Sequence, residues 1–387
     1  MCYEMNQLHL EASESTEIQN LYTSKFWACN FKKDKFLRSN IKMCALPNIE
    51  FERDLHRKYL NRFLHHSMPS FLANMDTNRT VLAYFCIAGL DILDDLDKIS
   101  EERKQQMIDW VYQLQVCNAE ELVSGFQGST TLNTMDNNNQ NSTYKWGHIA
   151  TTYSSLLSLL ILGDNLDRVD RKGIVQSLRS LQLEDGSFKG AKEGAENDMR
   201  FVFCAAAVSY ILNDWSGIDV EKMVDFVLKS ISYDGGIGQG PDLESHCGST
   251  FCAVAALALS NNLEKLSKDQ FHNLRRWLLY RLDTGFNGRP NKPSDTCYSF
   301  WTGGALKILN AYQFIESDDN PQFVLMTQDR YGGFSKWVNS VPDPMHTYFG
   351  LAGLSLMNYE NLKPLFCELN CTKEVHDRLM TIHNQWS

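Results

Sequence analysis

The chain has 387 residues, 43% hydrophobic and 22% charged, with a formal net charge of −10. That acidic balance excludes a non-specific nucleic-acid binder, which needs a basic surface. It leaves room for a local cationic pocket that takes a small anion. No apolar run is long enough for a transmembrane helix. The opening "MCYEMNQLHLEASEST" has no apolar run after a basic start, so no signal peptide is predicted. Residues 1–45 are expected to form a disordered tail, ahead of a single domain over 46–387. The 11 cysteines include no CxxC pair and lie in apolar helical text, as expected of free thiols in a reducing cytoplasm.

Along the chain, "FERDLHRKYLNRFLHHSM" and "TVLAYFCIAGLDILDDL" predict a first helix pair. A glycine turn, "VSGFQGS", follows at Phe126, and then a polar insertion, "TTLNTMDNNNQNST". From there the text repeats. "EDGSFKG", "YDGGIGQG", "DTGFNGRP" and "RYGGFSKW" share a glycine turn, and their apolar residues Phe188, Ile237, Phe286 and Phe334 lie 49, 49 and 48 residues apart. About ten residues after each turn comes a segment that is apolar nearly all round, such as "FVFCAAAVSYIL", as a fully buried helix should be. Amphipathic segments alternate with these. In "LSKDQFHNLRRWLLYRL", Phe271, Leu274 and Leu278 share a face, and Ser267 with Gln270 fits a capping box. The strand signal is weak throughout. The fold class is therefore all-α, built of helix pairs repeating about every 49 residues. Such pairs can stack into an open solenoid or close into an α/α toroid. Inner helices apolar on every side favour the closed form, because they need cover all round.

The starts of the buried helices align. Arg200, Gly248, Cys297 and His346 fill one slot, and Asp198, His246, Asp295 and Pro344 stand two residues earlier. In stacked repeats, equivalent slots share a rim, and packed helices bring neighbouring slots close together. Asp295, Cys297 and His346 are then a zinc-compatible set with a fourth position open, the catalytic rather than the structural pattern. The bland alternative gives them separate jobs: a helix cap, a buried thiol and a satisfied histidine. The same rim carries His246, Arg289 and Lys292, with Tyr298 and Lys336 nearby, a group suited to two or more phosphates. Phe203, Phe251, Phe300, Trp301 and Phe349 are expected to line an apolar cavity inside the ring. Together these suggest an isoprenoid diphosphate and a thiol acceptor.

"RPNKPSDTCYSFW", "LQLEDGSF", "ENDMRFV", "LESHCGSTFC" and "TQDRYGGFSKW" resemble the β subunits of protein prenyltransferases, nearest to the type I geranylgeranyl group. The resemblance runs from about residue 50 to the end. It implies an α/α toroid, a heterodimer with the α subunit that farnesyltransferase also uses, and one zinc ion per chain on Asp295, Cys297 and His346. It implies that His246, Arg289, Lys292 and Tyr298 hold the lipid diphosphate and that Arg200 meets the peptide's C-terminal carboxylate through water. Lys336 stands where farnesyltransferases carry a magnesium-linked aspartate, so magnesium is not expected to be required. Val81 and Ser249 stand where farnesyl enzymes have bulky aromatics, which lengthens the cavity for a C20 chain. Val81 also replaces a threonine, and Met345 a leucine, of the type I pattern, so peptide preference is expected to shift. The implied activity transfers a geranylgeranyl group from its diphosphate to the cysteine of a C-terminal CaaX sequence ending in Leu or Phe, on clients such as Rho-family and other small GTPases. Farnesyltransferase and Rab-type β subunits are the nearest alternatives. A terpene cyclase would need an acid-rich motif aimed into the cavity; "DILDDLD" at 91–97 is acid-rich but reads as the end of an early helix, outside the repeat rim. A non-catalytic helical scaffold is the alternative from another class.

Overall fold

The structure is a computed structural model that describes residues 49–68, 70–132, 145–315 and 319–386. The expected N-terminal tail, and most of the polar insertion after Leu132, lie outside the described residues.

Helices form in pairs. The outer members are α1 (Arg53–His65), α3 (Glu101–Gln113), α5 (Arg171–Leu181), α7 (Val220–Lys229), α9 (Lys268–Leu279) and α11 (Asp319–Met326). The inner members are α2 (Arg79–Ile92), α4 (Ile149–Ile161), α6 (Met199–Ile211), α8 (Cys247–Leu259), α10 (Tyr298–Ile308) and α12 (Pro344–Leu356). Each inner helix packs on the next, and α12 packs back on α2. The ring is closed, and the solenoid alternative falls. Every residue of α4 and α12 is buried, as a helix covered on all sides requires. Of the outer helices, α1, α5, α7 and α9 are strongly amphipathic, and α9 starts with the expected Ser267–Gln270 capping box.

Each glycine turn, between an outer helix and the next inner one, is closed by an antiparallel bridge: Gln182 with Phe188, Ile231 with Ile237, Leu282 with Phe286, and Gln328 with Phe334; Lys189–Asn197, Asn287–Ser294 and Ser335–Pro342 add a second bridge in three of them. The four turn residues Phe188, Ile237, Phe286 and Phe334 are fully buried, so the repeat is held by the same plug four times. The earlier copy at Phe126 uses a short ribbon, β1 (Gln115–Val116) on β2 (Gly125–Phe126). Neighbouring repeats are tied by backbone bonds from the start of one inner helix to the next turn. Cys247 N–H donates to Gly288 O at 2.8 Å, and Thr296 N–H to Lys336 O at 2.9 Å. The seam uses His56 of α1. Its Nδ1 accepts from Gly333 N–H at 3.0 Å, and its Nε2 lies 2.8 Å from Gln328 Oε1.

The turns put the starts of all inner helices at one end of the barrel. The other end is closed by a ribbon, β3 (Leu365–Phe366) on β4 (Cys371–Thr372), and by α13 (Lys373–Trp386). The ribbon's loop is held by phenols from the inner helices: Tyr84 and Tyr348 donate to Asn370 O at 2.8 and 2.7 Å, and Tyr153 to Leu369 O at 3.0 Å. The acid-rich 91–97 text belongs to this closed end. Asp91 accepts from Thr372 Oγ1 at 2.6 Å and pairs with Lys363 at 3.2 Å, which makes it a structural latch. That removes the motif a terpene cyclase would need.

Candidate metal centre and rim

Three sequence-predicted ligands meet at the open end. Asp295, Cys297 and His346 are buried, and their ligand atoms all lie within 4.8 Å of one another. The repeat explains the meeting. Asp295 precedes α10 and accepts from Cys297 N–H through Oδ1 at 3.0 Å, which fixes the carboxylate beside the thiol. His346 sits in the first turn of α12, the neighbouring inner helix. Its Nε2 is 3.4 Å from Asp295 Oδ1, the edge of a tetrahedron with bonds of about 2.0–2.1 Å.

The cap of α12 is Asp343, not Pro344. Pro344 takes the first helical position and pushes the cap back by one residue, so the slot alignment slips in the last repeat. Asp343 uses both oxygens on one histidine: Oδ1 accepts His346 N–H at 2.9 Å and Oδ2 meets Nδ1 at 2.6 Å. A ligating histidine with its second nitrogen on a carboxylate is held in one tautomer and orientation. Burial pushes the imidazole down, but Asp343 and Asp295 outweigh it and hold His346 at about 10. Burial pushes Asp295 up, but His346 and Lys336 hold it below its usual range. The site thus draws positive charge to Nε2. The carboxylates that retain a proton there suit a divalent cation in its place, and the donor set of one thiol, one imidazole and one carboxylate fits zinc.

Lys336 Nζ lies 3.9 Å from Asp295 Oδ2, on the edge of this triad. The other predicted diphosphate residues form a second group. Tyr298 Oη is 2.9 Å from His246 Nε2, and Arg289 pairs with Glu244 of the preceding repeat. Lys292 is exposed on the same loop. Burial, and then Arg289, push the His246 imidazole down to about 4. Arg200, predicted to meet the peptide, is held by Asp198 and Glu196 at 2.6 and 2.5 Å. His148, which caps α4 through Nδ1, stands one repeat earlier at the place of Asp198, the cap of α6, and was not predicted.

The predicted lipid and peptide residues also stand near the helix starts. Val81, Phe203, Ser249 and Met345 are buried, and Trp301 is half-buried. Inside the barrel, rings touch in a closed series through all inner helices: Tyr84–Tyr153, Tyr153–Phe203, Phe203–Phe251, Phe251–Trp301 and Trp301–Phe349, then Phe349–Phe85 back to α2, with centroids 4.3–6.0 Å apart. Phe300, stacked on Phe349 at 5.5 Å, backs this belt.

A toroid of helix pairs with a metal-compatible triad on its rim defines a class, and the comparisons agree. The model of the prenyltransferase alpha-alpha toroid domain matches residues 51–372, and the chain belongs to that family. It is 37% identical over 339 residues to the geranylgeranyl transferase type-1 subunit beta of Arabidopsis thaliana, covering 84% of this chain and 89% of that relative. It is 35% identical over 334 residues to the subunit of the same name from Dictyostelium discoideum, covering 82% of this chain and 94% of that one. The protein farnesyltransferase subunit beta of Schizosaccharomyces pombe is 32% identical over 332 residues, covering 80% and 79%. Among solved structures, Candida albicans protein geranylgeranyltransferase-I complexed with GGPP matches with a TM-score of 0.78 and 28% identity, over 86% of this chain and 99% of that chain. Among the described residues, no helix is long and apolar enough to cross a membrane.

Proposed function

We propose that this chain is the catalytic β subunit of a zinc-dependent protein geranylgeranyltransferase of type I. It transfers a C20 isoprenoid from geranylgeranyl diphosphate to the cysteine of a C-terminal CaaX sequence. The observation that carries the reading is the meeting of the Asp295–Cys297–His346 triad with Lys336 at 3.9 Å, at the mouth of an aromatic-lined barrel. A bound zinc ion would supply an open coordination position at which a thiol is kept as thiolate near neutral pH. Asp295, Cys297 and His346 hold the ion, and Asp343 orients His346. Arg289, Lys292, Tyr298 and Lys336 receive the leaving diphosphate. As the acceptor sulfur bonds to C1 of the lipid, the C1–O bond breaks and its electron pair leaves with the diphosphate. Donors fixed in advance where charge grows are each worth about 3 kcal/mol of barrier. Val81, Phe203, Ser249 and Trp301 hold the lipid, and Arg200 and Met345 meet the peptide. Lys336, beside the triad, stands in for a magnesium ion.

The partner is an α subunit of the kind farnesyltransferase uses. The rim supports this. Tyr233, Tyr280 and Tyr331, at or just after the ends of α7, α9 and α11, and Leu243, Val338 and Val341 on the following loops are exposed large hydrophobics at the metal-bearing end. Apolar surface gathered on one face marks a protein interface.

The test is co-expression with a candidate α chain, followed by transfer of C15 and C20 lipids to peptides ending in Leu, Met or Ser. Preference for C20 and Leu, abolished by chelator, is expected. Preference for C15 with Met or Ser would make the chain a farnesyltransferase subunit. Transfer only to Rab proteins with an escort would make it the type-2 subunit.

A further inference from the structure

At the closed end, away from the triad, a groove of about 470 Å³ lies between the loop after α8, the start of α9 and the end of α10. Its floor is apolar: Leu266 and Ile308 are buried, and Leu263 and Phe271 half-buried. Its edge is cationic. Lys268, His272 and Arg275 stand at i, i+4 and i+7 of α9, so they share a face. This charge sits on a chain whose net charge is −10. Arg275 is fixed in the wall. Its Nε–H donates to the O of Leu309, the cap residue of α10, at 2.7 Å, and its Cζ stands 4.4 Å from the centre of the Phe271 ring. The molecule shows elsewhere what an arginine in such a place accepts. Arg171 of α5 donates to the O of Leu212, the cap residue of α6, at 2.8 Å. There α13 lies across the helix ends. Its Trp386 ring stacks 3.6 Å from Arg171 Cζ, its His383 Nε2 is 3.0 Å from Ile211 O, and its Arg378 donates to Leu160 O at 2.6 Å. An amphipathic helix with an aromatic on the capping arginine thus covers the ends of α4 and α6. Beside α10 the same kind of arginine borders an open groove.

We propose that this groove docks a short amphipathic helix of a second protein, one whose carboxylates face Lys268, His272 and Arg275 and whose aromatic or leucine side chain fills the floor between Phe271 and Ile308. Charge selects this occupant. Cations one and two turns apart on α9 match acids one and two turns apart on a facing helix. The floor takes one or two anchor side chains, the core of a helix-in-groove contact. Glu264 in the same wall repels a polyanionic lipid headgroup, whereas a helix meets it with a single basic residue. The groove and the metal-bearing rim are at opposite ends of the barrel, so a helix docked here leaves the mouth open. The inference does not depend on which lipid or peptide the rim handles.

The test titrates the purified, co-expressed heterodimer with a fluorescein-labelled stapled helix that carries Trp and Leu one turn apart and glutamates on the turns beside them. Saturable binding that weakens with added salt is expected. The same helix with lysines for glutamates should bind about 10-fold more weakly. Lys268→Glu combined with His272→Glu should weaken the acidic helix about 10-fold and tighten the lysine helix. Both positions are exposed, so the substitutions leave the fold intact. Leu263→Asp, which puts a charge in the floor, should weaken both helices about 10-fold. Lipid transfer should be unchanged in all of these variants, and a wild-type protein that binds the helix but transfers no lipid would refute the proposed function alone. Absence of saturable binding to the wild type would overturn the proposal. So would equal affinity for the two helices, or binding indifferent to the substitutions at Lys268, His272 and Leu263. Phosphatidylserine vesicles are the second probe. Vesicle binding lost in the same variants, without binding of the acidic helix, would make the groove a lipid site and overturn the proposal.

Discussion

His246 and His346 both stand at the start of an inner helix, yet they turn opposite nitrogens to the rim. At α8 the histidine is itself the cap, so Gly248 N–H occupies Nδ1 and the outward Nε2 carries hydrogen. At α12 the cap is Asp343, which takes both the backbone N–H and the Nδ1 position of His346, so the outward Nε2 presents a lone pair once deprotonated. Their charges differ for the same reason. Burial and an arginine push His246 down to about 4, whereas at His346 two carboxylates outweigh burial and hold the ring at about 10. One slot of a repeat therefore becomes a hydrogen-bond donor or a candidate metal ligand according to which residue caps the helix.

The comparison can be broken most forcefully at the ligands. Cys297→Ala in the heterodimer is expected to abolish thioether formation in a turnover assay, and full activity would end the metal assignment. Lys336→Asp comes next. Without magnesium, transfer should fall about 100-fold, the loss of one electrostatic donor, and added magnesium should recover much of it. Indifference to magnesium would show that Lys336 does not stand in for the ion. Asp343→Asn sharpens the contrast more finely. The remaining oxygen still caps α12, but the amide cannot accept from Nδ1–H. Metal affinity, read by competition with a chelator, should weaken by about 10- to 100-fold, while turnover at saturating zinc stays close to wild type. Unchanged affinity would make Asp343 a helix cap and nothing more.

The smallest effect concerns His56 at the seam, which has the same tautomer as His246 and whose pKa burial lowers to about 4. Its folded pKa lies below the unfolded value of about 6.5, so the unfolded chain binds more protons between them. Stability from this ring is complete above pH 6.5 and falls as pH drops toward 4, by up to roughly 3 kcal/mol. Denaturant titration at pH 7 and pH 5 should show that loss in the wild type and much less of it in His56→Ala. An equal loss in both would place the acid sensitivity elsewhere.

Much of this was legible in the chain. Glycine turns 48 or 49 residues apart mark plugs that are fully buried, and helices apolar all round imply a closed ring. The triad was legible because repeat spacing places Cys297 and His346 in neighbouring slots. Asp343 was not, because alignment on His346 put Pro344 in the cap position, and only the shifted cap reveals the carboxylate behind the histidine. The lowered pKa of His246 was hidden too. A histidine written among Arg289 and Lys292 reads as a cation, and the bond to Gly248 N–H that excludes the proton is a matter of backbone geometry. Nor does the text show that Glu244 holds Arg289, or that residues 365–372 close the barrel from the far end. Those contacts join residues 22 to 286 positions apart, with no periodicity to announce them.

The most direct measurement is the metal-to-protein ratio of purified His246→Leu and His346→Ala heterodimers after the same exposure to zinc and dialysis. The account predicts a ratio near that of the wild type for His246→Leu and near-complete loss of metal for His346→Ala. Equal metal in both variants, or metal lost from His246→Leu alone, would contradict the opposite roles assigned to the two histidines.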